Sequence, residues 1–445
     1  MTALLSASVW LTIRFPEIDR MWDSPKKALV DAVLLAVVLL IYHRRERLPK
    51  IGRVLLLAGY ALVIAVAFFQ TLQLMQTRVR ALPLWDFRVF WAYGELMADG
   101  KNVYATESYN RFYDELTPSQ PFIESVMQVG ATYPPPTMFL FRPLGCCEVR
   151  TAYKYWYVFL LLCLVASAEL LRRTFLKASG IWGFALVMLL IFSLHGTWDT
   201  VRYAQTNFLA LLMFLLYWRD RVQARAGMWV ALGAVVKLYL GVLLFDSLIF
   251  KRWRAVMWAL GSGVVLALAS LLLLGPSTFL SYFTLHPTSR IPGWVYVEWM
   301  NQSLLGTILR VIHAPVAGGS LARNPLFVVA ALALTLATAW LVYRVGANSE
   351  WGLALWILLA LIIYPGTLAH YSVMLLPVLL LLWRDKEKTA LGVWGTTLLL
   401  ILVLGLVGFN SHAFSAYLLT WFTVAGISLL AKTRDTHSAV VAANI

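Results

Sequence analysis

Residues 43–75 read HRRERLPKIGRVLLLAGYALVIAVAFFQTLQLM, a basic cluster that runs directly into an apolar stretch. The first eleven of these residues hold five Lys or Arg against one Glu, and Val54 to Met75 carries no charge. At ~1.5 Å of rise per residue, such a run crosses a ~30 Å hydrocarbon core. Basic clusters stay on the cytoplasmic side, so this span delivers Thr77 and the residues after it to the opposite face. Residues 77–150 then form the first large outer loop.

The whole chain agrees with that reading. Its 445 residues are 60% hydrophobic and only 13% charged, with a mean hydropathy of +0.74, whereas soluble domains carry about a quarter charged residues. The expected fold class is an all-α polytopic membrane protein, a single integral membrane domain over 1–445. The formal charge of +15 does not point to nucleic acid, because about twenty basic residues lie in short clusters between apolar runs, the positive-inside pattern. Three cysteines, two of them the adjacent Cys146 and Cys147, are too few for a disulfide framework. The N-terminal residues lack a basic leader and a long apolar core, so a cleaved signal peptide is not expected; a multi-pass inner or plasma membrane location is.

Taken in order, Ala28 to Tyr42 is short for a crossing. Within the outer loop, WDFRVFWAYGELMADG (85–100) places Phe87, Phe90, Trp91, Tyr93 and Met97 on one helical face, expected to lie along the membrane surface. A polar helix is expected from Glu107 to Glu115. ATYPPPTMFLFRPLG (131–145) reads as a short re-entrant or surface-docked helix started by its prolines. Spans follow at about Thr151–Leu171, Ile181–Gly196 and Phe208–Trp218. Residues 226–250 are flanked by basic clusters on both sides, so parity requires a broken-helix hairpin, with Lys237 near its middle. Intramembrane lysines are costly and usually functional or paired, and broken helices are tolerated where they face protein or a wet cavity. A second outer loop occupies 275–324, and regular alternation thereafter brings the count to about 11–13 crossings.

Several polar residues fall on the outer side of this map. Asp86 stands where an N-cap is favoured, and equally where a carboxylate could act as general base on a membrane-associated acceptor. Lys237 could answer Asp246 or hold an anionic ligand such as a lipid phosphate. Arg202, Gln205 and Asn207 suit either loop solvation or binding to sugar hydroxyls and phosphate. Asn301, Gln302 and Ser303 precede an apolar helix, which makes Asn301 or Ser303 a candidate cap. His370 opens a span. No metal-ligand spacing, Walker loop, dinucleotide fingerprint or GxSxG elbow occurs, so neither a metal nor a nucleotide donor is expected, and no cofactor.

The order of these pieces resembles glycosyltransferase family 87, the domain-of-unknown-function 2029 group that includes polyprenyl-phosphomannose-dependent α-mannosyltransferases. An Asp-Phe (Asp86, Phe87) is followed by YPP (Tyr133, Pro134, Pro135), Gln-x-Asn (Gln205, Asn207), the membrane lysine Lys237, Asn-Gln-Ser (Asn301, Gln302, Ser303) and the late His370. The likeness runs over about residues 80–385. Ala204 replaces the usual Gly before the Gln, Leu240 replaces a Pro, and PGTLAH (365–370) lacks the usual Trp. The resemblance implies a GT-C helical bundle with Asp86 as catalytic base and Phe87, Tyr133, Pro134 and Pro135 shaping the loop. It implies that Lys237, His370, Arg202, Gln205, Asn207, Asn301 and Gln302 bind donor phosphate and sugar. Its activity would be inverting, metal-independent transfer from a polyprenyl-phosphate sugar to a lipid or glycan acceptor at the periplasmic or extracellular face. The partners would be membrane lipids and those two substrates, with no nucleic acid. A transporter or flippase, or an inactive GT-C-like assembly subunit, is the competing reading. Asp199, Glu124 and Glu298 are reserve bases.

Overall fold

The computed structural model describes residues 37–81, 85–109, 112, 131–285, 291, 293–312, 324–408 and 412–443. Among them the only β pairing is an isolated bridge between Asn301 and Leu368; everything else is helix, 3-10 turn and connection.

Two stretches are hidden along almost their whole length. In the Glu350–Ile363 helix every residue from Gly352 to Ile362 is buried, and Leu376–Trp383 is buried throughout. A helix apolar on all sides belongs in the interior, and these two form the centre. The helices Lys50–Ala81, Trp253–Leu274 and Pro325–Val345 are equally apolar but largely uncovered. Leu260, Val264, Val265, Leu268 and Leu272 are exposed on one, and Val328, Val329, Leu332 and Leu336 on another. Apolar surface on that scale suits lipid rather than water.

One end of the bundle collects the basic clusters. Arg384 pairs with Glu350 at 2.7 Å, which also accepts from Trp218 Nε1 at 3.1 Å. Arg252 pairs with Asp246 at 2.6 Å and donates to the carbonyls of Arg221 and Ala347. Asp220 accepts from Arg219, Arg225 and Trp229, so this buried carboxylate is fully answered. The ends of residues 219–225, 246–252, 347–350 and 384–385 are thereby fastened together, and Asp246 is answered here by Arg252 rather than by Lys237.

Residues 226–250 leave that end and return to it. The Ala226–Val236 helix stops at Lys237, whose φ of −148° and ψ of 113° are extended; a 3-10 turn over Leu238–Val242 and the Leu243–Ile249 helix lead back. A helix of 11 residues rises ~17 Å, about half a hydrocarbon core. Gly227 allows it to press on the Trp253–Leu274 helix, since a Cβ there would strike Ala255 O and Ala259 N.

The described residues form an all-α polytopic bundle. Four helices are long and apolar enough to cross, or up to five if the bent pair Val149–Phe175 and Lys177–Ser193 is one span. Other apolar runs are shorter, such as the 14-residue helices Asn207–Asp220 and Glu350–Ile363. Most residues of these two are buried against protein. The run Ala28–Tyr42 lies mostly outside the described residues, as does the expected Glu107–Glu115 helix, of which Thr106–Tyr109 is a 3-10 turn.

The Trp85–Ala98 helix also departs from expectation. Its aromatic face is turned into protein rather than along a membrane surface: Phe90 stacks on Phe141 at 4.5 Å, and Phe87 meets Tyr153 edge-on at 5.1 Å. Aromatic composition suits either environment. What decides is Gly94, whose backbone touches that of Gly145 and lets the helix sink onto residues 141–145.

Candidate active site

The site lies where the first turn of the Trp85–Ala98 helix, the break at Lys237, the turn before Asn207 and the 3-10 segment Ala369–Leu375 converge. Each is fixed by a local device. Pro134 is extended and Pro135 opens a 3-10 turn, the usual place for a proline. Thr137 at the end of that turn donates to Val235 O at 2.6 Å, satisfying a carbonyl near the end of the broken helix. Leu240, where the resembled family carries Pro, uses its N–H to donate to Lys237 O at 3.0 Å, a bond proline could not make. Ala204 closes the His195–Arg202 helix in the left-handed region, φ +52°, the geometry that favours the family's glycine. That turn lets Gln205 N donate to Thr200 O at 2.9 Å and aims the Gln205 side chain at Asp86.

The resulting chain of contacts crosses the site. Gln205 Nε2 donates to Asp86 Oδ2 at 2.5 Å. Lys237 Nζ donates to Gln205 Oε1 at 3.2 Å and to the Tyr371 hydroxyl at 3.1 Å, and lies 4.6 Å from the Tyr371 ring centroid and 6.0 Å from that of Tyr133. Gln205 and Lys237 are each 5% exposed, while Asp86 is partly open. Asp86 is the second residue of its helix, within the first turn rather than before it, where the helix dipole favours a carboxylate. Burial pushes its carboxyl up to about 6, against the Gln205 hydrogen bond and the Lys237 charge, which pull it down. A carboxyl tuned to that range is suited to exchange protons near neutrality.

Beside this chain lies a second buried polar group. His370 is 1% exposed, with neither ring nitrogen hydrogen-bonded, and its ring lies 5.0 Å from that of Tyr371 and 6.1 Å from that of Tyr203. Asn207 Nδ2 donates to His370 O at 3.3 Å and to Thr200 Oγ1 at 2.9 Å, so Asn207 positions the histidine's backbone. His195 Nε2 and Asp199 Oδ2 are 3.1 Å apart. Burial would raise the Asp199 carboxyl, but the His195, His370 and Arg202 side chains hold it below the usual range. Arg202 lies over the Tyr203 ring, 5.5 Å from its centroid. Asp199 is thus held beside the His195 imidazole.

Asn301 and Gln302 are placed differently. Asn301 Nδ2 donates to Pro365 O at 2.9 Å, and its Oδ1 accepts from Ser303 N and Oγ. Gln302 Nε2 donates to Trp299 O, and its Oε1 accepts from Phe414 N at 3.0 Å. Ser303 caps the Leu304–Val311 helix by accepting from Gly306 N at 3.0 Å. Backbone bonds from Gln302 N to Thr367 O and from Ala369 N to Met300 O complete a clamp that holds the segment leading to His370. The side chains of Asn301 and Gln302 are spent on protein. Glu298 lies beside this clamp, where its Oε1 accepts from Trp299 N at 3.2 Å and its carbonyl accepts from Arg310. Glu124 lies outside the described residues.

Sequence reasoning singled out Gln205 and Lys237 but gave Tyr371 no role, although it stands next to His370. It also passed over the pair His195 and Asp199, whose spacing of four residues on a helix was a readable signal.

The fold and site define an all-α membrane protein in which a partly open carboxylate is joined to a buried amide and a buried ammonium. A family model, glycosyltransferase family 87, matches residues 131–365. That is more than half of the chain, which belongs to this family and is a glycosyltransferase. No curated protein and no solved structure matches.

Proposed function

We propose that the chain transfers a sugar, mannose in the first instance, from a polyprenyl-phosphate donor to a lipid or glycan hydroxyl at the outer face of the membrane, with inversion, in a GT-C arrangement. The observation that carries this reading is the contact chain Asp86–Gln205–Lys237, which sets a carboxylate of near-neutral proton affinity beside a buried cation.

In this mechanism Asp86 accepts the proton of the acceptor hydroxyl as its oxygen bonds to the anomeric carbon. The bond from that carbon to the donor phosphate oxygen breaks, and polyprenyl phosphate departs with the electron pair. Lys237 offsets the charge that grows on the leaving phosphate, and His370 and Arg202 are assigned to assist it. Fixed charge in a dry site is commonly the largest catalytic contribution, and holding both lipidic reactants at one depth supplies proximity. An apolar groove of about 510 Å³, lined by Met228, Leu232, Met257, Trp258, Val265 and Leu266 among others, opens between two membrane helices. Leu232 precedes Lys237 by five residues, ~7.5 Å along the helix, so a lipid tail there would keep its phosphate near the lysine.

The test is transfer by purified protein in lipid vesicles, using radiolabelled polyprenyl-phosphomannose and a crude lipid and glycan extract, with Asp86→Asn alongside. Labelled product from wild type alone supports the reading. Equal labelling by both chains overturns Asp86 as the base.

A further inference from the structure

We propose that Gln205 is a positioning residue whose amide holds the Asp86 carboxylate and the Lys237 ammonium apart, preventing a direct ion pair that would disable both. This inference rests on the role given to Asp86 above, but it concerns a different residue and makes its own prediction.

The geometry begins with the amide's orientation. A carboxylate accepts and an ammonium donates, so Gln205 must turn Nε2 to Asp86 and Oε1 to Lys237. The distances are 2.5 Å and 3.2 Å, and the side chain is buried. Reversing the amide would set like against like at both ends. Among the described residues no ion pair joins Lys237 to Asp86. The lysine's other contacts are the Tyr371 hydroxyl and the faces of Tyr371 and Tyr133, none of which neutralises it. Its charge therefore stays available to an anionic ligand.

A lysine stem is long and flexible. Without the amide, the hydrogen-bonded bridge between its ammonium and the carboxylate is gone. An opposite charge at ion-pair distance lowers a carboxyl's proton affinity by about one to three pH units. The collapsed pair would hold a weaker base and a cation already answered. The titratable groups in electrostatic reach of Asp86 are Lys237, Tyr93, Tyr133, Tyr203 and Tyr371. Of these only Lys237 is a cation, and so only it can drive the change.

The experiment titrates Asp86 directly, with no substrate. Infrared difference spectra of the purified full chain against Asp86→Asn follow the carboxylate band with pH, in wild type, Gln205→Ala and Gln205→Glu. Losing the Gln205 hydrogen bond alone would raise the midpoint in Gln205→Ala, so the inference expects the closing ion pair to outweigh that loss and lower the midpoint, and expects a rise in Gln205→Glu, where a second carboxylate faces the first. A role in folding alone would not move the two variants in opposite directions. A midpoint that is unchanged or raised in Gln205→Ala overturns the inference. Gln205→Glu is close in shape to the native residue and guards against misfolding of the smaller variant. The titration is read apart from transfer: if Asp86→Asn still transfers sugar while the midpoints shift as stated, the base assignment fails and the spacer stands.

Discussion

The backbones of Gly94 and Gly145 meet with no side chain between them. A Cβ at Gly94 would lie against Phe141 O and 2.6 Å from Gly145 N, and one at Gly145 would overlap Gly94 C and O. The obstructing atoms are backbone, which cannot turn aside. Gly94→Ala or Gly145→Ala is therefore expected to lower stability by about 2 kcal/mol or more, at the upper end of overpacking costs. Because Asp86 rides on the same helix, transfer should fall as well. Thermal unfolding in detergent micelles, measured beside transfer, checks both; an unchanged melting temperature in the two variants would mean that the contact is not close-packed.

Asp86→Asn should stabilise the protein while sharply lowering transfer. Its carboxyl is raised to about 6 from an ordinary 3.8, with burial as the main cause. A raised carboxyl contributes stability that is fully present below its unfolded value and is lost as pH rises through about 6. At pH 7.5 the ionised group is a burden on the fold, and the neutral amide removes it. The gain is on the order of 1 kcal/mol after allowance for partial exposure, and should vanish below about pH 4. Transfer should drop at least about a hundredfold, the usual contribution of a general base. Wild-type transfer should also decline as pH falls through about 6, because the base becomes protonated. Melting curves and rates over pH 4–8 test these signs together.

Much of the fold was legible because a membrane imposes few solutions. The charge-free run Val54–Met75 after its basic cluster lies within the Lys50–Ala81 helix, and composition alone excluded a soluble domain. Which apolar runs form long helices was less legible. A 14-residue helix that ends at an extended residue, as Glu350–Ile363 does at Tyr364, has the same apolar composition as part of a straight span. The aromatic face of Trp85–Ala98 failed for the same reason, since Phe90 is equally at home against Phe141 or lipid. At the site, the residue types at Asp86, Gln205 and Lys237 could be read, but their mutual contact could not. They are separated by 119 and 32 residues. The Asn301 contact was equally hidden, because its partner, the Pro365 carbonyl, is a backbone atom 64 residues away that leaves no mark in composition.

Asn301→Ala separates clamp from sugar contact. Losing the bonds to Pro365 O and Ser303 leaves buried polar groups unanswered, at a cost of roughly 1–3 kcal/mol. If Asn301 holds the segment before His370, the melting temperature falls while the Michaelis constant for the donor stays near wild type in the fraction that remains folded. A donor constant raised tenfold at unchanged stability would instead make Asn301 a ligand contact.

Ala204 offers the last test, because strain there can be relieved without touching a reacting group. Its φ of +52° costs an alanine roughly 1 kcal/mol, and its carbonyl is held by Trp156 Nε1 at 2.8 Å, so the turn cannot relax. Glycine adopts this conformation freely but loses more entropy on folding, about 0.5–1 kcal/mol. Ala204→Gly should therefore change stability little or raise it by a few tenths of a kcal/mol. Ala204→Val should lose about 2 kcal/mol or more, since a branched side chain combines the strained φ with a fully buried site. The same turn aims Gln205 at Asp86, so Ala204→Val should also shift the pH dependence of transfer, whereas Ala204→Gly should leave it in place. Melting temperatures and rate profiles of the two variants measure both effects. Equal stability of the Gly and Val variants would show that the turn is not held in the left-handed region.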